Sequence, residues 1–288
     1  MWDSLAMTPE RFLLLGLLVG CGKAVEPPSN IAQPEEETAE ETEPLGPCPP
    51  DMLALDPGVY TLGESDPAEL EPYTEDGQLT ALPSYSATVG AVCVGLYPFP
   101  GEFGDPWPGD GLRYGQLGAL EEALAKAGRR LCTVSELTLA AAGPESWRYP
   151  FDPVDYVAEV CDPDDGSPRD MGTYRDCLSP LGLSDFLVRS SWAVLDDAAH
   201  DVMLPYYNGR LPEEGYYTIY GGVSRRDTFY APTNFGLHFH GADEEAYLDD
   251  GLRLCADQEA VGEEEQKAWR KLRQRFVEAG TFEGWLGG

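Results

Sequence analysis

The sequence predicts an α+β domain that is rich in loops, and three observations support this prediction. The 288 residues include 32 glycines and 25 prolines, which separate short apolar runs along most of the chain. No long segment with helical periodicity occurs before residue 258. Strand-like and helix-like segments do not alternate regularly, as they would in a wound parallel sheet.

Three segments have the composition of β-strands, because they are rich in Val, Ile, Tyr or Thr. They are residues 58–62, 91–96 and 216–220. Two short helices are also predicted, over residues 118–128 and 133–142. In the first, Leu117, Leu120 and Leu124 recur at helical spacing.

The second of these helices has clear start and stop signals. Thr133 and Glu136 have the spacing of a capping box, and Gly143 ends the run of good helix formers. Cys132 directly precedes this predicted N-cap. A helix N-terminus favours anions, so Cys132 could be a reactive thiolate, or else one half of a structural disulfide.

A third helix is predicted near the C-terminus, over residues 263–278. Its acidic residues come early and its basic residues late, which suits the helix dipole. Trp269, Leu272 and Phe276 fall on one apolar stripe. We expect this stripe to pack on the domain, and the alternative is a helix that binds a partner.

The composition divides the chain into four segments. Residues 1–20 contain an apolar run from Phe12 to Gly20, which is too short to span a membrane and suits a signal peptide. Residues 21–47 are rich in Glu, Pro and Thr and are predicted to form a disordered acidic linker. Residues 48–257 are long enough for one core, and residues 258–288 are predicted to be a helical tail.

The end of the apolar run resembles the lipobox of bacterial lipoproteins. It reads Leu18-Val19-Gly20-Cys21, and in such signals the cysteine is lipidated and becomes the first residue of the mature chain. We therefore expect lipidation of Cys21, with ordinary secretory cleavage as the alternative. Gly22 follows, which in the resembled signals favours the outer membrane without indicating the leaflet. The predicted location is the cell envelope, with the membrane as a partner.

Charge and cysteine content narrow the function classes. The formal net charge of -32 disfavours binding to nucleic acid. An exported chain has an even number of cysteines left once Cys21 is set aside, which predicts three disulfides among 15 pairings. No pair has the CxxC spacing of a zinc or thioredoxin-like site. The six are Cys48, Cys93, Cys132, Cys161, Cys177 and Cys255.

Several motifs, taken in order, resemble the formylglycine-generating-enzyme-like domain, also called the sulfatase-modifying-factor domain. DMLALDPGVYTLG at residues 51–63 is similar to the family's opening strand, and GRRLCTVSEL at 128–137 to its GKRLCTEAEWE. MGTYRDCLSPLGLSD at 171–185 is similar to VGSYPDCVSPYGVYD, and GLRLC at 251–255 to the closing GFRC. Weaker matches are VCVGLYP at 92–98, WRYPF at 147–151 and Gly221-Gly222.

This resemblance implies a C-type-lectin-like fold with little regular secondary structure and with neighbouring termini. Neighbouring termini make a Cys48–Cys255 disulfide conceivable. Cys161–Cys177 is the favoured pair, since its short loop would stabilise by about 3 kcal/mol in the chain-entropy model. Cys93–Cys132 is then the remaining pair.

The family's chemistry depends on residues that this sequence lacks. Members that form formylglycine carry a copper-binding cysteine pair shortly after the Gly-Gly element, and residues 221–236 contain no cysteine. The family's SGNVWEW segment, which helps to hold calcium, reads LVRSSWAV at 187–194 and lacks the Gly, Asn and Glu. We therefore expect no cofactor. Copper is disfavoured, and bound calcium is the alternative that stays open.

Any retained binding function is predicted around residues 221–241. This region contains Arg225 and Arg226, together with His238 and His240, which would share one face of a strand. The simpler interpretation of the two histidines is that they form the polar face of a strand and bind no metal. The sequence as a whole predicts a non-catalytic envelope lipoprotein that binds or scaffolds an envelope protein or a glycan. The alternatives are a sulfatase-modifying oxidoreductase or other enzyme, and a carbohydrate-binding module.

Overall fold

The computed structural model combines helices and sheets, as the predicted α+β class requires. It describes residues 48–63, 83–105, 112–113, 117–147, 170–173, 176–185, 191–205, 217–220, 247–248, 251–281 and 284–285. These residues form four α-helices and 11 β-strands, numbered here in chain order. Ten of the strands lie in pairs or sheets with antiparallel partners, and one short strand pairs in parallel.

The largest sheet brings both ends of the predicted domain together. Strand β4 lies at its centre, flanked by the first strand and the last strand, and all its neighbours are antiparallel. Every residue of β4 is buried, which is typical of a strand covered on both faces. The four strands, in spatial order, are β1 (Met52–Leu55), β4 (Val92–Gly95), β11 (Leu254–Asp257) and β6 (Arg130–Leu131).

Three smaller sheets complete the strands. Strand β3 alternates buried and exposed residues, so it presents one face to the core. Strand β7 is the middle strand of its sheet, antiparallel to β8 and parallel to β10. The pairs are β2 (Gly58–Leu62) with β3 (Tyr85–Val89), β5 (Leu112–Arg113) with β9 (Tyr247–Leu248), and β7 (Ser191–Val194) with β8 (Tyr217–Tyr220) and β10 (Gly251–Leu252).

The first two helices are where the sequence predicts them, with one boundary corrected. Helix α1 (Leu117–Ala125) ends three residues before the predicted Gly128. A turn follows instead, because Gly128 has a φ of 63°, which does not continue a right-handed helix. Helix α2 (Val134–Ala142) is completely buried, and the predicted Thr133–Glu136 capping box is present.

Helix α3 (Asp197–Met203) is short and was not predicted, whereas the C-terminal helix was. Helix α4 (Glu263–Ala279) extends one residue beyond the prediction, and Gly280 is its C-cap. Its Trp269 and Phe276 are buried in a cluster with Phe99 and the leucines of α1, so the expected packing on the domain is confirmed. Among the residues that the structure describes, no helix has the length and apolarity needed to cross a membrane.

The disulfides correct two predicted pairings. Cys48 bonds Cys93, and Cys132 bonds Cys255, so the Cys48–Cys255 and Cys93–Cys132 pairs are wrong. The reason is the register of β4 against β11, in which Cys93 lies opposite Ala256 and not Cys255. Adjacent residues of a strand point to opposite faces, so Cys93 and Cys255 serve different faces of the sheet.

The prediction for the third pair is tested only in part. Cys177 is fully buried and disulfide-bonded. Cys161 lies outside the described residues. The Cys161–Cys177 pair therefore stays a prediction.

Candidate interaction surface

Most of the binding residues predicted from the sequence lie outside the part of the chain that the structure describes. This is true of Cys21 and Cys161, and of the candidates Arg225, Arg226, His238 and His240. Their predicted roles stay predictions. The candidate interaction surface therefore consists of other residues, which lie on the described part of the domain.

Cys132 is a structural residue and not a free thiolate at the N-terminus of α2. Its Sγ is bonded to that of Cys255, and both residues are completely buried. Glu136 lies beside this disulfide, so the three residues form a compact group of the kind that can hold a metal. However, disulfide sulfur is not the thiolate that such a metal needs.

The carboxylate of Glu136 is also fully engaged. Both of its oxygens accept hydrogen bonds of 2.7 Å from the guanidinium of Arg130, and one accepts from the backbone N–H of Thr133. Arg130 also donates to Asp257 at 2.7 Å. This bidentate arrangement joins the start of α2 to β11 and explains the group as part of the fold.

A second polar junction holds α2 against α3. Asp196 accepts from the backbone N–H and the hydroxyl of Ser135 and from the backbone N–H of Ala199, so it caps α3 and fixes α2 at once. The hydroxyls of Ser135 and Tyr85 lie 3.1 Å apart in the interior. Burial, with the charge of Asp196, raises the pKa of Tyr85. Ser135 is thus enclosed and bound, which does not suit a nucleophile.

Arg253 is the most deeply buried charge among the described residues. Its guanidinium donates to the backbone carbonyl of Gly95 at 2.7 Å and to that of Ser184, so it connects β4 to the loop before residue 186. Burial lowers the pKa of Arg253 to about 9, although the charge of Asp185 partly opposes this. Arg253 and Asp185 belong to two motifs of the resemblance, and the fold brings them near each other.

Asp185 has a positive φ, which is uncommon for a residue other than glycine, and its side chain is bonded to a neighbouring loop. Its φ is 60°, and its carboxylate accepts a 2.6 Å hydrogen bond from the backbone N–H of Gly172. Gly172 has a φ of 75°, and a Cβ there would lie 2.6 Å from Phe103 and 2.7 Å from Tyr97. Burial raises the pKa of Asp185, and the Gly172 bond and Arg253 counteract part of this rise.

The same loops present an aromatic pair at the surface. Tyr97 and Phe103 meet edge to face, with ring centroids 6.3 Å apart. Phe103 is 63% exposed, although it is a large apolar residue. An exposed aromatic ring beside a tyrosine is a surface that could receive a flat apolar face of a ligand.

Helix α4 is fixed to the domain by two ionic contacts. Near its middle, Trp269 donates from Nε1 to Asp51 at 2.9 Å and lies under the guanidinium of Arg129, 4.7 Å from the ring centroid. Arg129 is itself buried and donates to both carboxylate oxygens of Asp51 at 3.2 Å. These three groups join the first strand, the loop before β6 and α4.

The second contact lies one turn further along the helix. Arg273 donates to Asp105 at 2.7 Å and forms an ion pair with Glu102 at 3.0 Å. The side chain of Asp105 is only 10% exposed, so this contact is partly desolvated. The orientation of α4 about its own axis is therefore fixed, and one side must face solvent.

That outer side of α4 is basic in its middle and acidic towards both of its ends. Lys267, Arg270, Lys271 and Arg275 follow the spacing that places them on one side of a helix, opposite Trp269, and all four are exposed. We call these four residues the cationic face. Within the described residues, its one recorded ion pair joins Lys267 to the exposed Glu264 at 3.8 Å. Acidic residues occupy the ends of the helix, in the first turn and at Glu278.

The cationic face contrasts with the chain as a whole, which has 19 basic and 51 acidic residues. Five of the 19 basic residues lie on the 17 residues of α4, and only Arg273 among them is committed to a buried contact. These residues enter the sequence prediction only as the late basic residues of a helix. Their helical spacing, opposite the apolar stripe, was the signal that could have identified the surface.

Comparison with known proteins adds no family assignment. No protein-family model matches the sequence, and no curated protein matches it.

Proposed function

We propose that this protein is a lipid-anchored protein of the cell envelope that acts by binding or scaffolding and does not form formylglycine. One observation carries the proposal: the segment 221–236, where the resembled family keeps its copper-binding cysteines, contains none. The described cysteines offer no substitute, because all five are disulfide-bonded. Copper(I) chemistry needs soft thiolates.

The arrangement of the motifs supports a formylglycine-generating-enzyme-like domain of the C-type-lectin-like class. Four of the matched motifs supply β1, β4, β6 and β11, which are the neighbouring strands of one sheet. The first and last strands both pair with β4, in agreement with neighbouring termini. Motifs that are distant in sequence thus meet in space, as members of one domain pattern would.

Two observations support the proposed lipid-anchored location in the cell envelope. The lipobox-like sequence ends at Cys21, after an apolar run that suits a signal peptide. The disulfides are of the kind that persist in an oxidising compartment. The direct test is metabolic labelling with a radioactive fatty acid. Label is expected in the natural chain and not in Cys21→Ser, and an unlabelled natural chain would contradict the anchor.

The non-catalytic proposal is tested with copper(I) and a peptide that carries the sulfatase cysteine motif. We expect no stoichiometric copper(I) uptake by the purified chain and no oxidation of the peptide cysteine. Uptake of one copper(I) per chain together with oxidation of that cysteine would overturn the proposal. It would favour the alternative of a sulfatase-modifying oxidoreductase.

A second candidate function is carbohydrate binding, and the Tyr97–Phe103 pair favours it because Phe103 is exposed. Aromatic rings stack on the apolar faces of sugars, and Phe103 is accessible for such a contact. A glycan array would test this function. A signal that Phe103→Ala abolishes and Val59→Ala retains would support it, since Val59 is also exposed but lies on β2. An array without signal would dismiss it.

A further inference from the structure

We propose that the cationic face of α4 binds the anionic headgroups of a membrane surface and so orients the domain on it. The choice of a lipid surface over an acidic protein rests on the proposed envelope location and lipid anchor. The four residues of the cationic face are Lys267, Arg270, Lys271 and Arg275.

The four residues of the cationic face are not needed to hold α4 in place. The helix is attached through Trp269 and Phe276 in the core, and through Arg273 to Asp105. Arg129 and Asp51 complete the attachment from the domain side. The bases that the fold uses are therefore on the inner side, and those of the cationic face are left for solvent or a ligand.

The cationic face has a shape that suits a flat surface. A helix of 17 residues is about 25 Å long at 1.5 Å per residue. Because its inner side is anchored at two points, the outer side forms a ridge on the surface of the domain. The exposed bases span residues 267–275 in its central part. Such a ridge can place all four positive charges on a flat surface at the same time.

The cationic face can bind an anionic membrane although the protein as a whole is acidic. The formal net charge of -32 would repel the protein as a whole from an anionic membrane. At physiological salt, however, the Debye length is about 8 Å, so only charges close to the membrane contribute strongly. A local cluster of basic residues can then bind even when the net charge is negative. Each basic residue close to an anionic surface strengthens binding by about fivefold.

The predicted lipid anchor and linker favour a membrane as the ligand of the cationic face. The predicted lipid at Cys21 would hold the domain at the membrane through residues 22–47. Tethering raises the effective concentration of the surface, so weak electrostatic contacts suffice for binding. The apolar side of α4 is buried in the domain, so this contact involves headgroups and not insertion into the acyl chains.

The test is co-sedimentation of the full chain carrying Cys21→Ser with lipid vesicles. One set contains phosphatidylglycerol in phosphatidylcholine, and the other contains phosphatidylcholine alone. We expect binding to the anionic vesicles that weakens as salt is raised. In the variant Lys267→Gln/Arg270→Gln/Lys271→Gln/Arg275→Gln, we expect the partition coefficient for anionic vesicles to fall at least about tenfold.

Two controls make the result specific. Lys126→Gln removes an exposed lysine from the turn after α1 and should leave binding unchanged. Gln274→Ala alters an uncharged exposed residue of α4 and should also leave it unchanged.

The inference would be overturned by equal binding to both kinds of vesicle or by an unchanged quadruple variant. Capture of the chain by an acidic protein, without vesicle binding, would also overturn it. The copper and labelling tests judge the proposed function separately, because neither depends on the cationic face.

Discussion

Basic residues occur in two different environments in this acidic protein, buried in the fold or exposed on one side of α4. Arg253, Arg129 and Arg273 are buried or half-buried, and each donates to a carboxylate or a backbone carbonyl that another element supplies. The cationic face of α4 has the opposite character, since its side chains are exposed and the buried contacts of the helix do not use them. The same residue types thus hold the fold in one region and form a surface in the other.

This difference predicts which substitutions should affect folding and which should affect binding. A buried arginine leaves its partners unpaired when it is removed, and unpaired buried groups are costly. An exposed basic residue leaves nothing unpaired, and its loss changes stability little. Stability and binding measurements on matched arginines should therefore separate the two regions.

The largest expected effect is that of Arg253→Met. It removes two hydrogen bonds to buried carbonyls and leaves Asp185 without its nearby positive charge. We expect a loss of about 3–5 kcal/mol in the free energy of unfolding, measured by denaturant titration. Arg270→Met on the outer side of α4 is the matched control and should change stability by less than about 0.5 kcal/mol. Equal effects at the two positions would contradict the distinction.

If Arg253→Met fails to fold, the double variant with Asp185→Asn provides the measurement. Removing both charges avoids an uncompensated buried carboxylate, so part of the lost stability should return. A double variant that is no more stable than the single one would show that the two residues are not coupled.

A smaller effect is expected for Arg273→Gln. It weakens the contact of α4 with Asp105 and Glu102, and we expect a loss of about 1–3 kcal/mol. Hydrogen exchange of the α4 backbone amides should become faster, because this contact fixes the helix. Arg270→Gln is the matched control and should leave the exchange unchanged. Unaltered exchange in Arg273→Gln would mean that the contact does not hold the helix.

A pH effect is expected from Asp185. Its pKa is above the ordinary value because it is buried. The protonated form is therefore favoured by folding, and this stabilisation is complete below the unfolded pKa and is lost as pH rises through the folded pKa. Relative to Asp185→Asn, which does not titrate, the natural chain should lose unfolding free energy as pH rises above the ordinary aspartate pKa of about 3.9. A difference that stays constant or grows with pH would contradict the burial argument.

The local elements could be predicted from the sequence because their signals are local. The Thr133 capping box, the strand over Gly58–Leu62 and the apolar stripe of α4 are all short patterns, and all are confirmed. Helix α3 was missed because it has only seven residues, too few for a periodic pattern. Local sequence therefore reports the elements but not their partners.

The disulfide pairs and the buried arginines could not be predicted for the same physical reason. Which cysteine meets Cys93 depends on the register of β4 with β1 and β11, which is set by contacts between distant segments. Arg129 and Arg253 are likewise explained only once the fold encloses them. The cationic face was accessible from spacing alone, but its exposure depends on which side of α4 the domain covers.

The quadruple Gln variant of the cationic face should have the smallest effect on stability. It also tests most directly whether this side of α4 is a binding surface. Its unfolding free energy and its partition into anionic vesicles are measured together on the same preparation. We predict a change of less than about 1 kcal/mol in stability with at least about a tenfold loss of binding. A variant that unfolds much more easily, or that binds anionic vesicles as the natural chain does, would contradict the claim that this side of α4 is a binding surface.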